Sequence, residues 1–176
     1  MLRVKICGIT NIEDARAAVE AGADAIGFIF QPTSKRYITP QAAGRIIAAM
    51  PPFVMTVGVF VDETAEAVIE TARIAGLGAV QLHGAETPGL CASIKANGIR
   101  VIKAARVREA ADIDALAAYD VAGFLLDAYS TECHGGSGLK CDWALAAKAK
   151  AHGRPIILAG GLTPENVAEA VAAVSP

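Results

Sequence analysis

The chain has 176 residues, a length that favours one domain. It is 53% hydrophobic and 19% charged, which excludes a disordered tail or linker, because such segments combine few apolar residues with a high net charge. The net charge of −2 and the aromatic content of 5% argue against nucleic-acid partners, since these need an excess of Lys and Arg or rings that stack on bases.

The apolar stretches are short, well below the roughly 20 residues needed to cross a bilayer. The first residues, Met1–Lys5, lack the long apolar core of a signal peptide. We therefore expect a cytoplasmic protein with no membrane partner. The four cysteines form no CxxC pair, which predicts free thiols in a reducing compartment. They are Cys7, Cys91, Cys133 and Cys141.

Two patterns alternate along the chain: short β-branched runs and longer Ala-rich segments with charges at helical spacing. The predicted strands are Arg3–Cys7, Ala25–Phe30, Val54–Val61, Ala79–Leu82, Arg100–Lys103, Gly123–Asp127 and Ile156–Ala159. The predicted helices are Ile12–Ala21, Pro40–Met50, Thr64–Ala75, Pro88–Ala96, Glu109–Ala117, Asp142–Ala151 and Pro164–Ala173. The strand runs are nearly continuous in apolar residues, which is typical of parallel strands covered on both faces.

Capping residues mark several of the predicted helix starts. Thr39, Thr87 and Thr163 each precede a proline, which places an N-cap hydroxyl before a proline at the first helical position. Thr10 and Glu13 have the spacing of a capping box.

The chain thus contains seven predicted βα units, and two architectures fit this alternation: a doubly wound open sheet and a (β/α)8 barrel. Seven units in one unbroken run are many for the open sheet and one short of the closed barrel. We predict an α/β protein with the (β/α)8 TIM-barrel fold. Residues 1–176 are expected to form a single domain that covers about seven units, is truncated at its C-terminus and lacks the eighth unit.

In a barrel, function resides at the carboxyl ends of the strands. Cys7 ends the first predicted strand and Asp127 ends the sixth. Cys7 is either a small buried apolar residue or a thiol that acts as base or nucleophile. Asp127 is either a loop cap or a site carboxylate. On opposite sides of one cavity, the two side chains would suit acid–base chemistry, and Lys5 shares the face of Cys7 by the period of two.

Two further segments suit anion binding. Arg36 in the second loop is either a solvated charge or a clamp for a carboxylate, which a guanidinium binds through two parallel hydrogen bonds. Gly160 and Gly161 follow the seventh strand, where backbone N–H groups ahead of a helix can bind phosphate.

The sixth loop and the end of the fourth strand offer weaker candidates. The segment Gly135, Gly136, Ser137, Gly138 is either a linker or a lid that closes on substrate. His83 is interpreted as structural or minor, held by a backbone hydrogen bond. The nearby Cys133, His134 and Cys141 match no standard zinc spacing, so no metal site is predicted.

Eight strings of the sequence carry a family resemblance. They are Val4–Thr10, Gly27–Phe30, Ser34–Ile38, Val57–Val61, Val80–Gly84, Leu125–Asp127, Gly135–Gly138 before Asp142 and Trp143, and Leu158–Leu162. They span almost the whole chain. Together they resemble phosphoribosylanthranilate isomerase of tryptophan biosynthesis, and they occur in that family's order.

The resemblance implies an Amadori rearrangement of N-(5-phosphoribosyl)anthranilate to 1-(2-carboxyphenylamino)-1-deoxyribulose 5-phosphate. By similarity, Asp127 is the general acid that opens the ribose ring and Cys7 is the base that removes the proton on C2. Arg36 holds the anthranilate carboxylate, and the amides near Gly160 and Gly161 bind the phosphate. No metal or organic cofactor is implied, because the Schiff base itself accepts the electrons.

Two departures from the family pattern leave alternatives open. An eighth strand and a Ser-Gly phosphate loop are expected beyond Pro176, and Leu139–Cys141 replaces the usual Lys-Thr-Phe. The alternatives are an inactive or impaired barrel fragment of this family and another phosphosugar-binding barrel isomerase or synthase. A receiver-like binding module is disfavoured, because Cys7 and Gly8 stand where it needs acidic residues. The protein is expected to be a monomer or a homodimer.

Overall fold

The computed structural model of the protein describes residues 2–127 and 143–176. The chain divides into two compact units, one that ends at Ile102 and one that begins at Lys103. A single domain over residues 1–176 stays a prediction. No helix within the described ranges is long and apolar enough to cross a bilayer.

The first unit alternates strands with helices. Its strands β1 to β4 are parallel neighbours in chain order, and Cys7 pairs in register with Gly27 across β1 and β2. The elements are β1 (Lys5–Cys7), α1 (Ile12–Glu20), β2 (Ala25–Ile29), α2 (Pro40–Ala48), β3 (Met55–Phe60), α3 (Ala65–Ala75), β4 (Ala79–Leu82) and α4 (Pro88–Ala96).

Strands β2 to β4 form the core of this unit, and almost all their residues are buried. Phe28, Phe60 and Leu82 are among the side chains with almost no exposed surface. The rings of Phe30 and Phe60 stack with their centroids 5.2 Å apart. The continuous apolar runs of the sequence thus correspond to strands buried on both faces.

The helix starts follow local capping chemistry. Thr39 and Thr87 cap α2 and α4 as predicted, each accepting a hydrogen bond from the backbone N–H three residues on, at 3.3 Å. Such caps contribute about 1 kcal/mol each. The predicted box at Thr10 is wrong: Asn11 caps α1 and accepts from the N–H of Asp14 at 2.7 Å.

The second unit holds the remaining strands, and β6 pairs in parallel with β7. The elements are β5 (Val101–Arg106), which begins at the end of the first unit, α5 (Ala110–Ala115) with a 3₁₀ turn at Leu116–Ala118, β6 (Gly123–Asp127), α6 (Trp143–Lys148) with a 3₁₀ turn at Ala149–His152, β7 (Ile156–Ala159) and α7 (Val167–Val174). Phe124, Leu126 and Val121 are buried in this unit.

The start of α7 differs from the prediction, which placed Thr163 as its N-cap. The helix begins at Val167, not at Pro164. Asn166 accepts a hydrogen bond from the N–H of Thr163 at 2.8 Å and donates to the carbonyl of Gly161 at 2.9 Å. The residues between Thr163 and Val167 therefore form a turn that is tied to the preceding glycine loop.

Asp112 stabilises the start of α5. Its carboxylate accepts hydrogen bonds from the N–H groups of Arg108 at 2.8 Å and Glu109 at 3.1 Å. These bonds, chiefly that from Arg108, hold the pKa of Asp112 below its ordinary value. Because the pKa of Asp112 is lower in the folded state, its ionised carboxylate stabilises the fold at a pH above the ordinary pKa. This stabilisation is lost as the pH falls through the lowered pKa.

Candidate active site

Cys7 lies at the carboxyl end of β1, against a glycine of the next strand. A Cβ atom built on Gly27 would be 2.9 Å from the Sγ of Cys7 and 3.1 Å from the Nζ of Lys5. The thiol and the ammonium group therefore occupy the same face, above Gly27, as the period of two along β1 predicts. The N–H groups of Gly8 and Ile9 both donate to the carbonyl of Gly27 at 2.9 Å, which fixes the chain directly after the thiol.

Arg36 reaches the same strand end from the second loop. The loop folds back on β2, because Tyr37 bridges to Ile29 and the N–H of Ile38 donates to the carbonyl of Ile29 at 3.1 Å. The Nη1 of Arg36 donates to the carbonyl of Cys7 at 2.8 Å. The residue is exposed, and this bond fixes its position with one of the five N–H donors that a guanidinium has.

Gly8 makes the close approach of Arg36 possible. Its φ is +92°, a conformation that side chains rarely adopt, and a Cβ there would overlap the guanidinium, with the Nη1 only 2.5 Å away. In the dipeptide Cys7-Gly8, the thiol is therefore followed by a glycine whose positive φ and missing Cβ leave room for the guanidinium of Arg36.

A reciprocal pair of carboxylates joins the loops that follow β3 and β4; we call it the clasp and define it as Asp62 and Glu86. Asp62 accepts a hydrogen bond from the N–H of Ala85 at 2.6 Å. Glu86, which is 4% exposed, accepts from the N–H of Asp62 at 3.1 Å and from that of Gly84 at 2.9 Å. Each loop therefore holds the backbone of the other.

Gln81 and His83 lie just before the clasp, at the end of β4. The Nε2 of Gln81 is 2.7 Å from the Nδ1 of His83. Gln81 is buried and His83 is half-buried. A side-chain contact thus orients this imidazole.

Asp127 and the glycine loop lie at one edge of the second unit. Asp127 is half-buried and pairs in register with Ala159, which immediately precedes Gly160 and Gly161. The two glycines have φ values of +83° and +61°. The carboxylate of β6 and the glycine turn after β7 are therefore neighbours at the carboxyl ends of their strands.

Lys103 is a buried cation in β5. It is 5% exposed, and its Nζ donates to the carbonyl of Ala104 at 2.9 Å. The sequence carried a signal for it, a lysine closing an apolar strand. Gln81 carries the same signal, a polar residue within an apolar run, and neither residue is among the predicted site residues.

Several predicted residues lie outside the described ranges. They are the candidate lid Gly135, Gly136, Ser137 and Gly138, together with Cys133, His134 and Cys141. Among the residues that the structure does describe, no group of three or more His, Cys, Asp or Glu side chains could hold a metal ion.

Comparisons with known proteins point to one family. The family model of N-(5'-phosphoribosyl)anthranilate (PRA) isomerase matches residues 4–176. The N-(5'-phosphoribosyl)anthranilate isomerase of Citrifermentans bemidjiense is 56% identical over 176 residues, which are all of this chain and 84% of that protein.

Solved structures of the same isomerase also match this chain. The crystal structure of phosphoribosyl anthranilate isomerase from Thermotoga maritima is 49% identical, covers all of this chain and 85% of its own, and gives a TM-score of 0.90. A second structure of such an isomerase, 46% identical with a TM-score of 0.88 over all of this chain and 84% of its own, holds reduced 1-(o-carboxyphenylamino)-1-deoxyribulose 5-phosphate.

The predicted fold class and its seven βα units are thereby confirmed. The family match also favours the predicted isomerase over the other phosphosugar barrels. The chain belongs to the phosphoribosylanthranilate isomerase family, the isomerases of tryptophan biosynthesis.

Proposed function

We propose that the protein converts N-(5-phosphoribosyl)anthranilate to 1-(2-carboxyphenylamino)-1-deoxyribulose 5-phosphate by general acid–base catalysis. The observation that carries this proposal is the family match over residues 4–176. The product analogue bound to a 46% identical isomerase supports the ligand class. The test is a turnover assay of the purified chain with phosphoribosylanthranilate, in which the isomeric product is separated by chromatography and no cofactor is added.

In the proposed first step, Asp127 donates a proton to the ribose ring oxygen. The C1–O bond breaks, the anthranilate nitrogen supplies its electron pair to C1, and a protonated Schiff base forms. The half-buried position of Asp127 at the carboxyl end of β6 supports this role, since barrel enzymes carry their catalytic groups at these strand ends.

In the proposed second step, the thiolate of Cys7 removes the proton on C2. The electrons of that C–H bond form the C1–C2 double bond of an enolamine, and the electrons of the Schiff base return to nitrogen. The enolamine then tautomerises to the ketone. The place of Cys7 at the carboxyl end of β1, with its Sγ on the same face as the Nζ of Lys5, supports this role.

The two ends of the substrate are anions. Arg36 is proposed to bind the anthranilate carboxylate, and the amides at Gly160 and Gly161 the phosphate. The exposure of Arg36 and its anchor on the carbonyl of Cys7 support the first assignment. The glycine turn after β7 supports the second, since residues without a Cβ let an anion approach the backbone N–H groups closely. Residues 135–138 remain the proposed lid, and a monomer or homodimer stays a prediction.

Replacing Arg36 with Ala should weaken binding of the reduced product analogue about tenfold, because a hydrogen-bonded charge pair is lost. Lys at this position should restore binding only in part, since an ammonium lacks the two parallel donors. Titration calorimetry measures both changes. Lys35→Ala removes the neighbouring exposed charge and should bind the analogue normally. Equal affinities for wild type and Arg36→Ala would contradict the clamp.

Gly27→Ala should lower turnover about tenfold without unfolding the protein. The added Cβ would lie 2.9 Å from the Sγ of Cys7, so the thiol must move by a few tenths of an ångström, and small misplacements of a reacting group are costly. Steady-state kinetics and thermal melting measure the two effects. Gly89→Ala is the matched control, because its Cβ would meet nothing closer than 3.9 Å. Unchanged turnover in Gly27→Ala would argue against Cys7 as the base.

A further inference from the structure

Gln81 is an unusual residue for its position. It lies in β4 between Val80 and Leu82, both fully buried, and is itself only 2% exposed. The side-chain amide makes its contact with His83 through Nε2. The Oε1 of the same amide is buried and has no hydrogen-bond partner among the described residues.

This arrangement is poor for stability. Burying an amide removes it from water, and one hydrogen bond compensates only part of that loss, while an unpartnered oxygen is destabilising. An apolar side chain of similar size would suit the strand better. A residue that weakens the fold at the carboxyl end of a barrel strand indicates a role in the site.

The contact with His83 specifies that role. In the orientation that the structure gives the Gln81 amide, its nitrogen faces Nδ1 of His83, and because an amide nitrogen only donates, this Nδ1 carries the lone pair. A neutral imidazole with Nδ1 as acceptor has its proton on Nε2. We propose that Gln81 is a positioning residue that fixes His83 as the Nε2–H tautomer, so that this ring donates a hydrogen bond to the substrate.

The benefit to the reaction follows from the position of His83 at the end of β4. A ring of fixed tautomer and orientation gives an N–H donor that needs no reorganisation when charge develops on the sugar oxygens. This benefit rests on the proposed function, whereas the tautomer itself can be measured without any substrate.

The experiment is NMR of the full chain with nitrogen-15 in its histidines, at a pH where imidazole is neutral. The chain has 3 His residues, and loss of one signal set in His83→Asn assigns His83. We expect wild-type His83 to be protonated at Nε2 alone. In Gln81→Glu the carboxylate only accepts, so the proton should move to Nδ1. In Gln81→Met neither tautomer is held, and the signals should average.

Replacing Gln81 with Met should lower activity without lowering stability. Gln81→Met should lose about tenfold or more in turnover, because a small misplacement of the His83 donor weakens its bond to the substrate. Its melting temperature should stay within about 4 °C of wild type or rise, because the unpartnered oxygen is gone. Thr56→Val is the control: it removes another buried polar side chain, which hydrogen-bonds the N–H of Gly78 at 3.0 Å, and should lower stability while His83 keeps its tautomer.

Two results would overturn the proposal: wild-type His83 protonated at Nδ1, or a tautomer that does not change in Gln81→Glu. If Gln81→Glu fails to fold, the wild-type and Gln81→Met spectra decide alone. Turnover in Gln81→Met that equals wild type would overturn the positioning role. A wild-type chain with the Nε2–H tautomer but no turnover would instead refute the proposed function.

Discussion

Cys7→Ala is expected to lower turnover at least about a hundredfold, the lower range for a positioned acid or base. Alanine removes the sulfur that is proposed to accept the C2 proton, while the backbone that anchors Gly8 and Arg36 is unchanged. Binding of the reduced product analogue should therefore change little. Steady-state kinetics and calorimetry on the same preparation separate the two quantities.

Cys91→Ala is the matched control, since Cys91 is the other cysteine that the structure describes and is buried in α4. It should lose some stability through the small cavity left behind, with turnover close to wild type. Near-normal turnover in Cys7→Ala would remove the thiol from the mechanism.

Asp127→Asn is expected to cause a loss of similar size, again about a hundredfold or more, because an amide cannot transfer the proton that opens the ribose ring. The side chain keeps its shape, so β6 should still pair with β7 and the melting temperature should change by only a few degrees. A substrate analogue whose ring is already open should bypass part of the defect.

The control for this change is Asp120→Asn. Asp120 forms an exposed ion pair with Arg154 at 3.0 Å, and surface pairs of this kind contribute little. Its turnover should match wild type. If Asp127→Asn also matched wild type, another group would have to supply the proton.

Local patterns predicted most of the fold. The strands Ala79–Leu82, Gly123–Asp127 and Ile156–Ala159 have their predicted bounds, because an apolar run flanked by polar or glycine residues marks both ends. Caps at Thr39 and Thr87 also depend only on neighbouring residues.

The two wrong caps show where local rules fail. Thr10 and Asn11 are adjacent and both can cap a helix, so the backbone path after β1 decides between them. At Thr163 the side chain of Asn166 binds back to the glycine loop, which delays the helix to Val167. Both outcomes depend on tertiary geometry.

The same limit applies to the candidate site. Cys7, Arg36 and Asp127 were found because they follow predicted strands. The closeness of Gly27 to the thiol depends on the register of β1 and β2, which periodicity does not specify. The anchor of Arg36 on the carbonyl of Cys7 spans 29 positions of sequence and has no local signal.

The clasp has a consequence for how this barrel can diversify. Loops after barrel strands usually vary independently, which lets one fold acquire many activities. Here each of two loops carries the carboxylate that binds its neighbour's backbone, so Asp62 and Glu86 form one structural unit. A loop transplanted without its counterpart would leave N–H groups and a carboxylate unmatched. In loop grafting, we therefore expect the fold to tolerate exchange of the segments after β3 and β4 together better than exchange of either one alone.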